Sequence, residues 1–108
     1  MANTFKSYLA KDVGVTALPL ITVAAATIET LIGLSIANTS VSSISVDVYI
    51  TRSATNIYII KGASIPVGQT FILSGGDQKL VLQSSDILNV VSSAAASADA
   101  IASVLELT

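Results

Sequence analysis

The residues with the most obvious capacity for chemistry are the seven acidic side chains, which suggest acid–base catalysis or calcium binding. Asp12, Asp77 and Asp86 each lie in a segment typical of a turn, where an aspartate accepts hydrogen bonds from nearby backbone. The sequence contains no DxDxD pattern of the kind that wraps a calcium ion. The carboxylates therefore predict turns, and they indicate neither catalytic nor metal-binding residues.

The segment Gly75-Gly76-Asp77 is a candidate phosphate cradle, because glycine-rich loops expose backbone N–H groups to anions. Such a loop must open a helix, and the residues that follow, Lys79–Gln83, have the pattern KLVLQ of a strand instead. Glycine and aspartate accept the positive φ angles that tight hairpins require. The segment is thus predicted to be a hairpin turn, with Lys79–Gln83 as the return strand.

A polar stripe is formed by Asp47, Tyr49, Thr51 and Arg52, with Tyr58 expected opposite them on the next strand. Such a stripe is typical of the solvated side of a half-buried strand, and that interpretation is favoured. Tyrosine and arginine are also frequent anchors of protein interfaces. The alternative role for this stripe is therefore protein–protein contact rather than catalysis.

The chain contains no cysteine and no histidine. Disulfides, thiolate or imidazole metal sites, and Ser-His or Cys-His nucleophile pairs are therefore excluded. We accordingly expect a protein that is not an enzyme, with no catalytic residues, no cofactor-binding residues and no metal site.

The composition points to contact with another protein. Of the 108 residues, 52% are hydrophobic and only 11% are charged, so we expect part of the apolar surface to meet another chain.

The net charge of −2 without a basic cluster argues against nucleic-acid binding. The longest apolar run, 17–37, is interrupted by Pro19, Glu29 and Gly33, which argues against a membrane span. The polar segment Met1–Lys11 lacks the apolar core of a secretory signal.

The clearest structural element is a β-hairpin over Ile44–Lys61. Apolar and polar residues alternate strictly from Ile44 to Thr51, and a strand of period two places the two sets on opposite faces. A polar loop at 53–56 then leads to the return strand Ile57–Lys61.

Shorter patterns predict the remaining strands, at Thr4–Ala10, Val15–Val23, Ile28–Ala37, Ile65–Leu73, Lys79–Gln83, Ile87–Ser92 and Ala94–Thr108. Pro19 lacks an N–H donor, which puts the second strand at a sheet edge or a bulge. Helix is the alternative for 17–37 and for 94–107 because both are rich in alanine, although strand is favoured for each.

About eight short strands with regularly spaced turns predict an all-β fold, an antiparallel β-sandwich of the jelly-roll or immunoglobulin-like type. Residues 1–12 are expected to be an N-terminal arm or edge strand, and residues 13–108 a single sandwich domain. The alternating apolar sets predict the core: Ile32, Leu34, Ile36, Val46, Val48, Ile50, Ile59, Leu80, Leu82 and Val90.

Three segments carry a resemblance to a known group of proteins: Val46-Asp47-Val48, Ile65-Pro66-Val67-Gly68 and Gly75-Gly76-Asp77-Gln78-Lys79. With these segments, nearly the whole chain resembles small virion structural proteins of tailed bacteriophages, common among phages of cyanobacteria and marine bacteria. Such proteins have no catalytic residues that could be carried over to this sequence.

The resemblance implies a virion location and a non-enzymatic structural role, in capsid decoration or cementing or in the neck and collar. A tail or baseplate component of the same fold is the alternative. The implied partners are the chain itself, as a homo-oligomer, and virion proteins such as major capsid, portal or tail proteins. A carbohydrate-binding β-sandwich is a third hypothesis, although the sequence has only five aromatic residues and no tryptophan to stack on a sugar.

Overall fold

A computed structural model describes residues 3–73 and 79–108, in which every regular element is a β-strand. This confirms the all-β prediction. The predicted turn at Gly75-Gly76-Asp77 lies outside the described residues. The strands are β1 (Asn3–Val13), β2 (Leu18–Thr22), β3 (Ile28–Asn38), β4 (Ile44–Arg52), β5 (Thr55–Ile65), β6 (Thr70–Leu73), β7 (Leu80–Leu82), β8 (Ile87–Ser92) and β9 (Ala98–Leu107).

The strands form two antiparallel sheets that enclose one core. The five-stranded sheet has the order β1-β9-β3-β6, with β7 also paired to β3, and the four-stranded sheet has the order β2-β8-β4-β5. If β6 and β7 are counted as one interrupted strand, the first strand pairs with the last, the second with the last but one, and so inward to the β4–β5 hairpin. This nested pairing is that of a jelly roll, which decides between the two sandwich types predicted.

Strands β6 and β7 both pair with β3, and they do so end to end. Leu73 lies opposite Leu34, and Leu80 lies opposite Leu31, so both short strands run antiparallel to β3. The prediction that Lys79–Gln83 returns along the preceding strand as a hairpin is therefore wrong, because the long strand β3 offers both segments the same edge.

A β-bulge divides β3 into two halves whose buried faces differ. The pairing with β9 shifts between Leu31 and Gly33, so Ile32 is the additional residue. Before the bulge Glu29 and Leu31 are buried, and after it the buried residues are Leu34 and Ile36. The sequence analysis placed Ile32 in the core on one continuous face, which is wrong because a single inserted residue exchanges the two faces.

The central hairpin forms as predicted but with a tighter turn. Its turn consists of Ser53 and Ala54 alone, with φ angles of 52° and 62°, and Thr55 already pairs with Arg52. Two positive φ angles in a two-residue loop are typical of the type I′ turn, which matches the twist of the flanking strands. The predicted loop at 53–56 is therefore two residues too long.

The edge strand β2 and the last strand β9 agree with the sequence analysis. Pro19 lies in β2 at the edge of its sheet, directly before a bulge, as its missing N–H requires. The alanine-rich segment Ala98–Leu107 is a strand and not a helix, because it fills the position between β1 and β3.

The core lies between the two sheets and contains most of the predicted residues. Six of the ten are buried, namely Leu34, Ile36, Val46, Val48, Leu82 and Val90. Ile50, Ile59 and Leu80 pack against this core while half-buried. The sequence analysis missed the inner face of β9, which is buried throughout and consists of Ala98, Ala100, Ala102 and Val104.

Replacing Val48 with alanine is expected to lower the free energy of unfolding by about 1–3 kcal/mol, because the side chain is fully buried and its loss leaves a cavity. Urea denaturation measures the change. Val41→Ala is the matched control, since Val41 is 94% exposed and should change stability by less than about 0.5 kcal/mol. Equal effects of the two substitutions would contradict the assignment of the buried face.

Candidate interaction surface

The outer face of the five-stranded sheet carries an unusual number of exposed apolar side chains. Strand pairing sets them in two rows across the sheet. One row contains Phe5, Leu105, Thr30 and Val81, and the other contains Leu9, Ile101, Ser35 and Ile72. We call this surface the apolar face and the second row the Ile101 row.

A furrow of small residues separates the two rows. Ser7 pairs with Ser103, and Ser103 pairs with Gly33, so the strip between the rows has almost no side-chain bulk. The surface depression there has a volume of about 260 Å³, and Ile72 and Ile101 flank it. The apolar face therefore has relief, with two ridges and a groove between them.

The exposure of the apolar face is large for a protein of this size. Phe5 is 76% exposed, Leu9 72% and Ile72 71%, and Val81 and Ile101 are 54% and 49% exposed. These five side chains present roughly 500 Å² of apolar surface, in the upper part of the range that the largest patch of a monomer shows. Such an area is typical of a surface that meets another molecule.

Among the described strand residues, the two rows and the furrow between them contain no charged side chain. Their polar side chains are those of serine and threonine. Lys11 and Asp99 lie beyond the Ile101 row, where they border a second depression with Leu9. The face is therefore suited to a partner that is itself apolar.

The composition predicted that part of the apolar surface would be exposed for contact with another chain, but it did not locate that surface on the fold. The signal that locates it is the pattern of β9, in which Ile101, Leu105 and Leu107 alternate with the buried alanines and Val104. Because strands of an antiparallel sheet with one solvated face usually alternate apolar and polar residues, an apolar set on the outer side of β9 distinguishes this face.

The predicted polar stripe lies on the opposite side of the molecule, on the outer face of the four-stranded sheet. Tyr49 and Tyr58 are cross-strand neighbours with ring centroids 4.9 Å apart. The Nζ atom of Lys61 lies 4.5 Å above the centre of the Tyr58 ring and 3.5 Å from a carboxylate oxygen of Asp47. Apart from Arg52, the predicted residues therefore share one face, on which Lys61 contacts both Asp47 and Tyr58.

Arg52 does not belong to the stripe, because it follows Thr51 and points to the other side of β4. Its guanidinium donates two hydrogen bonds to the carboxylate of Asp86, at 2.8 and 2.6 Å. The Asp86 carboxylate is buried and also accepts a hydrogen bond from the backbone of Gln83. Hydrogen bonding from Arg52 lowers the pKa of Asp86 despite its burial. The pair ties the central hairpin to the turn before β8.

A buried carboxyl group that the sequence analysis did not single out lies at one end of the sandwich. Glu29 is 1% exposed, and both its oxygens accept a hydrogen bond from the Tyr8 hydroxyl, at 3.0 and 2.9 Å. Its cross-strand neighbour Glu106 forms an ion pair with Lys6 at 3.0 Å. Because the carboxyl is enclosed and already bonded, we interpret this cluster as the attachment of β1 to β3 and β9.

Burial raises the pKa of Glu29; the hydrogen bond from Tyr8 lowers it, and the adjacent Glu106 raises it again. Burial together with Glu29 raises the pKa of the Tyr8 phenol to about 12. The Tyr8 hydroxyl therefore keeps its proton and donates to Glu29 over the whole physiological pH range.

The described residues contain no group of three or more acidic side chains placed to hold a metal ion. Within 3–73 and 79–108 there is also no helix of the length and apolarity needed to cross a membrane. Comparison with known proteins gave no matching family, no similar curated protein and no similar solved structure.

Glu29 is expected to make the free energy of unfolding fall as the pH rises above the usual glutamate range. The unfolded chain loses this proton at a lower pH than the folded protein does, so rising pH favours the unfolded state. In Glu29→Gln the side chain is a neutral amide that does not titrate, so this pH dependence of the stability is lost. The stability of the variant relative to the native chain should therefore increase as the pH rises above about 4, as urea denaturation at each pH would show.

Tyr8→Phe is the companion variant for this measurement. Without the hydroxyl, the pKa of Glu29 should rise further, and the loss of stability should extend to higher pH. A difference between Glu29→Gln and the native chain that does not change with pH would show that Glu29 is not perturbed by burial.

Proposed function

We propose that this chain is a non-enzymatic structural protein of a tailed-phage particle that decorates or cements the capsid or belongs to the neck and collar. The observation that supports this proposal most directly is the charge-free apolar face of the five-stranded sheet. A surface of this kind is costly in water and is explained by burial in an assembly. The resemblance to small virion proteins supplies the kind of assembly.

The fold is compatible with this role without specifying it. Jelly rolls occur in viral capsid proteins, in lectins and in other classes, so function must be argued from surfaces and sites. In a symmetric particle, many copies make the same contact, and weak individual contacts add up to a strong assembly. A 108-residue chain with one apolar face suits repeated use of this kind. A tail or baseplate position would use the same face and is the alternative.

The polar stripe supports carbohydrate binding less well. Sugars stack on an open aromatic face, but Lys61 lies over the ring of Tyr58, and Tyr49 packs on its neighbouring side. Thr51 and Asn56 hydrogen-bond to each other at 2.7 Å, which occupies groups that a sugar hydroxyl would use. These contacts favour a structural role for the stripe.

The proposal is tested by mass spectrometry of gradient-purified particles of the phage that encodes the chain. The chain is expected in these particles, and it should be retained when supplied as Ile57→Lys in a host that complements a deletion of the gene. Ile101→Lys should reduce incorporation at least about tenfold, because a buried lysine at an apolar contact costs more than about 1.4 kcal/mol.

Ile57 is the matched control because it is also an isoleucine in a strand and is 59% exposed, against 49% for Ile101, but it belongs to the other sheet. Absence of the native chain from purified particles would overturn the proposal. Equal incorporation of both variants would show that the apolar face is not the surface used.

A further inference from the structure

Among the described strands, β1 forms the only long sheet edge that is not interrupted. An edge strand offers unpaired backbone N–H and C=O groups to a further strand, and proline, bulges and short length prevent that addition. The edge strand β2 contains Pro19 and a bulge, and β6 and β7 have only four and three residues. The edge strand β5 has two irregularities in its pairing with β4, and its Gly62 has a φ angle of 71°. Three of the four edges are therefore protected.

The edge of β1 has none of these features over most of its length. Residues 3–10 pair one to one with β9, and the pairing shifts only after Ala10. The segment contains neither proline nor glycine, and no described strand lies on its other side. Its outward side chains Phe5 and Leu9 are largely exposed. A long, regular edge with exposed apolar side chains is a template for another strand.

We infer that β1 of a second copy pairs antiparallel with this edge, about a two-fold axis that passes through Ser7 at right angles to the sheet. The two five-stranded sheets then form one continuous sheet, and the contact is isologous, so each strand satisfies the edge of the other. The two apolar faces lie side by side in this dimer and stay open to a third molecule. The inference uses the edge rather than the apolar face, and so it goes beyond the proposed function.

The sequence of β1 selects the position of the axis. Opposite residues of a joined antiparallel sheet share a face, so the axis must pass through a residue and not between two residues. Axes at Lys6 and at Ser7 pair more of residues 3–10 than any other axis does. An axis at Lys6 would place this lysine opposite its own copy, which is unfavourable. An axis at Ser7 places Phe5 opposite the partner's Leu9 and Leu9 opposite the partner's Phe5, and apolar cross-strand pairs of this kind stabilise a sheet.

The charges near the axis are compatible with an identical partner. Lys6 lies opposite the partner's Tyr8, and the two copies of Lys6 are diagonal neighbours at about 7–8 Å. The Nζ atom of Lys6 lies 3.0 Å from the carboxylate of Glu106 on β9, so this lysine is paired within its own copy and is directed away from the free edge. At the axis itself the two Ser7 hydroxyls can hydrogen-bond to each other.

Sedimentation velocity of the purified full chain, from roughly 1 to 500 μM, tests the inference over a range that includes weak specific association. The native chain should dimerise at the upper concentrations. Ser7→Lys places two like charges opposite each other at the axis and should weaken dimerisation at least about tenfold. Ser64→Lys is the matched control, because Ser64 is an exposed serine on the edge strand of the other sheet, and it should dimerise like the native chain.

Charge reversal separates a lost contact from a lost fold. Ser7→Asp should also be monomeric, but an equimolar mixture of Ser7→Lys and Ser7→Asp should dimerise again, because opposite charges then meet at the axis. A variant that cannot fold would not be rescued in this way, and thermal melting of each variant verifies its fold. Native mass spectrometry identifies the mixed dimer. Failure of the two folded variants to form it would overturn the inference.

Amide hydrogen exchange reports on the edge directly. Alternate N–H groups of an antiparallel strand point to opposite sides, so alternate amides of residues 4–10 face the free edge. Their exchange should slow several-fold between the lowest and the highest chain concentrations, whereas the amides of β5 should not change. Equal protection of these amides at all concentrations would contradict strand pairing.

A native chain that is monomeric at all concentrations would overturn the inference. Loss of the dimer in Ile101→Lys would do so too, because this substitution alters the apolar face and leaves the edge intact. Dimers of a chain that is absent from particles would uphold the inference without the proposed function. A monomer that is found in particles would do the reverse.

Discussion

The jelly roll depends on β9, whose backbone pairs with β1 on one side and with β3 on the other. Its inner face consists of alanines and Val104, all at most 1% exposed. Small side chains in the middle of one sheet leave room for the larger side chains of the facing sheet, as close packing of a core requires. Without β9 the five-stranded sheet would separate into two parts, and the apolar face would lose its central strand.

The bulge in β3 connects the core to the surface. By adding Ile32 to one strand, it brings Glu29 and Leu31 to the interior and turns Gly33 outward beside Ser103. One irregularity in the pairing thus accounts for a buried carboxyl group, to which Tyr8 donates, and for the position of Gly33 in the furrow. Bulges that redirect side chains in this way are common near functional surfaces.

The two outer faces of the sandwich have opposite chemistry. On the four-stranded sheet, Lys61 and Asp47 pair with each other, and the rings of Tyr49 and Tyr58 pack together at an angle of 40°. On the five-stranded sheet, Phe5, Leu9 and Ile72 are 71–76% exposed. The first face therefore presents paired polar groups to water, and the second presents a large apolar surface.

The sequence by itself determined the all-β character of the chain, the hairpin of β4 and β5, and six residues of the buried core, because strict alternation leaves one assignment of faces to a strand. The absence of histidine and cysteine likewise excluded whole classes of site. Alternation is a local signal, however, and it fails where an extra residue enters a strand, as at Ile32.

Only the tertiary structure decided which strands are neighbours, since pairing between distant segments leaves little trace in a single sequence. It therefore decided that β6 and β7 share one edge of β3, and that Arg52 meets Asp86. It also brought Phe5, Ile72 and Ile101, which are far apart in the chain, onto one surface. In the sequence each of these residues is an ordinary strand residue, and only the tertiary structure shows that they share one exposed face.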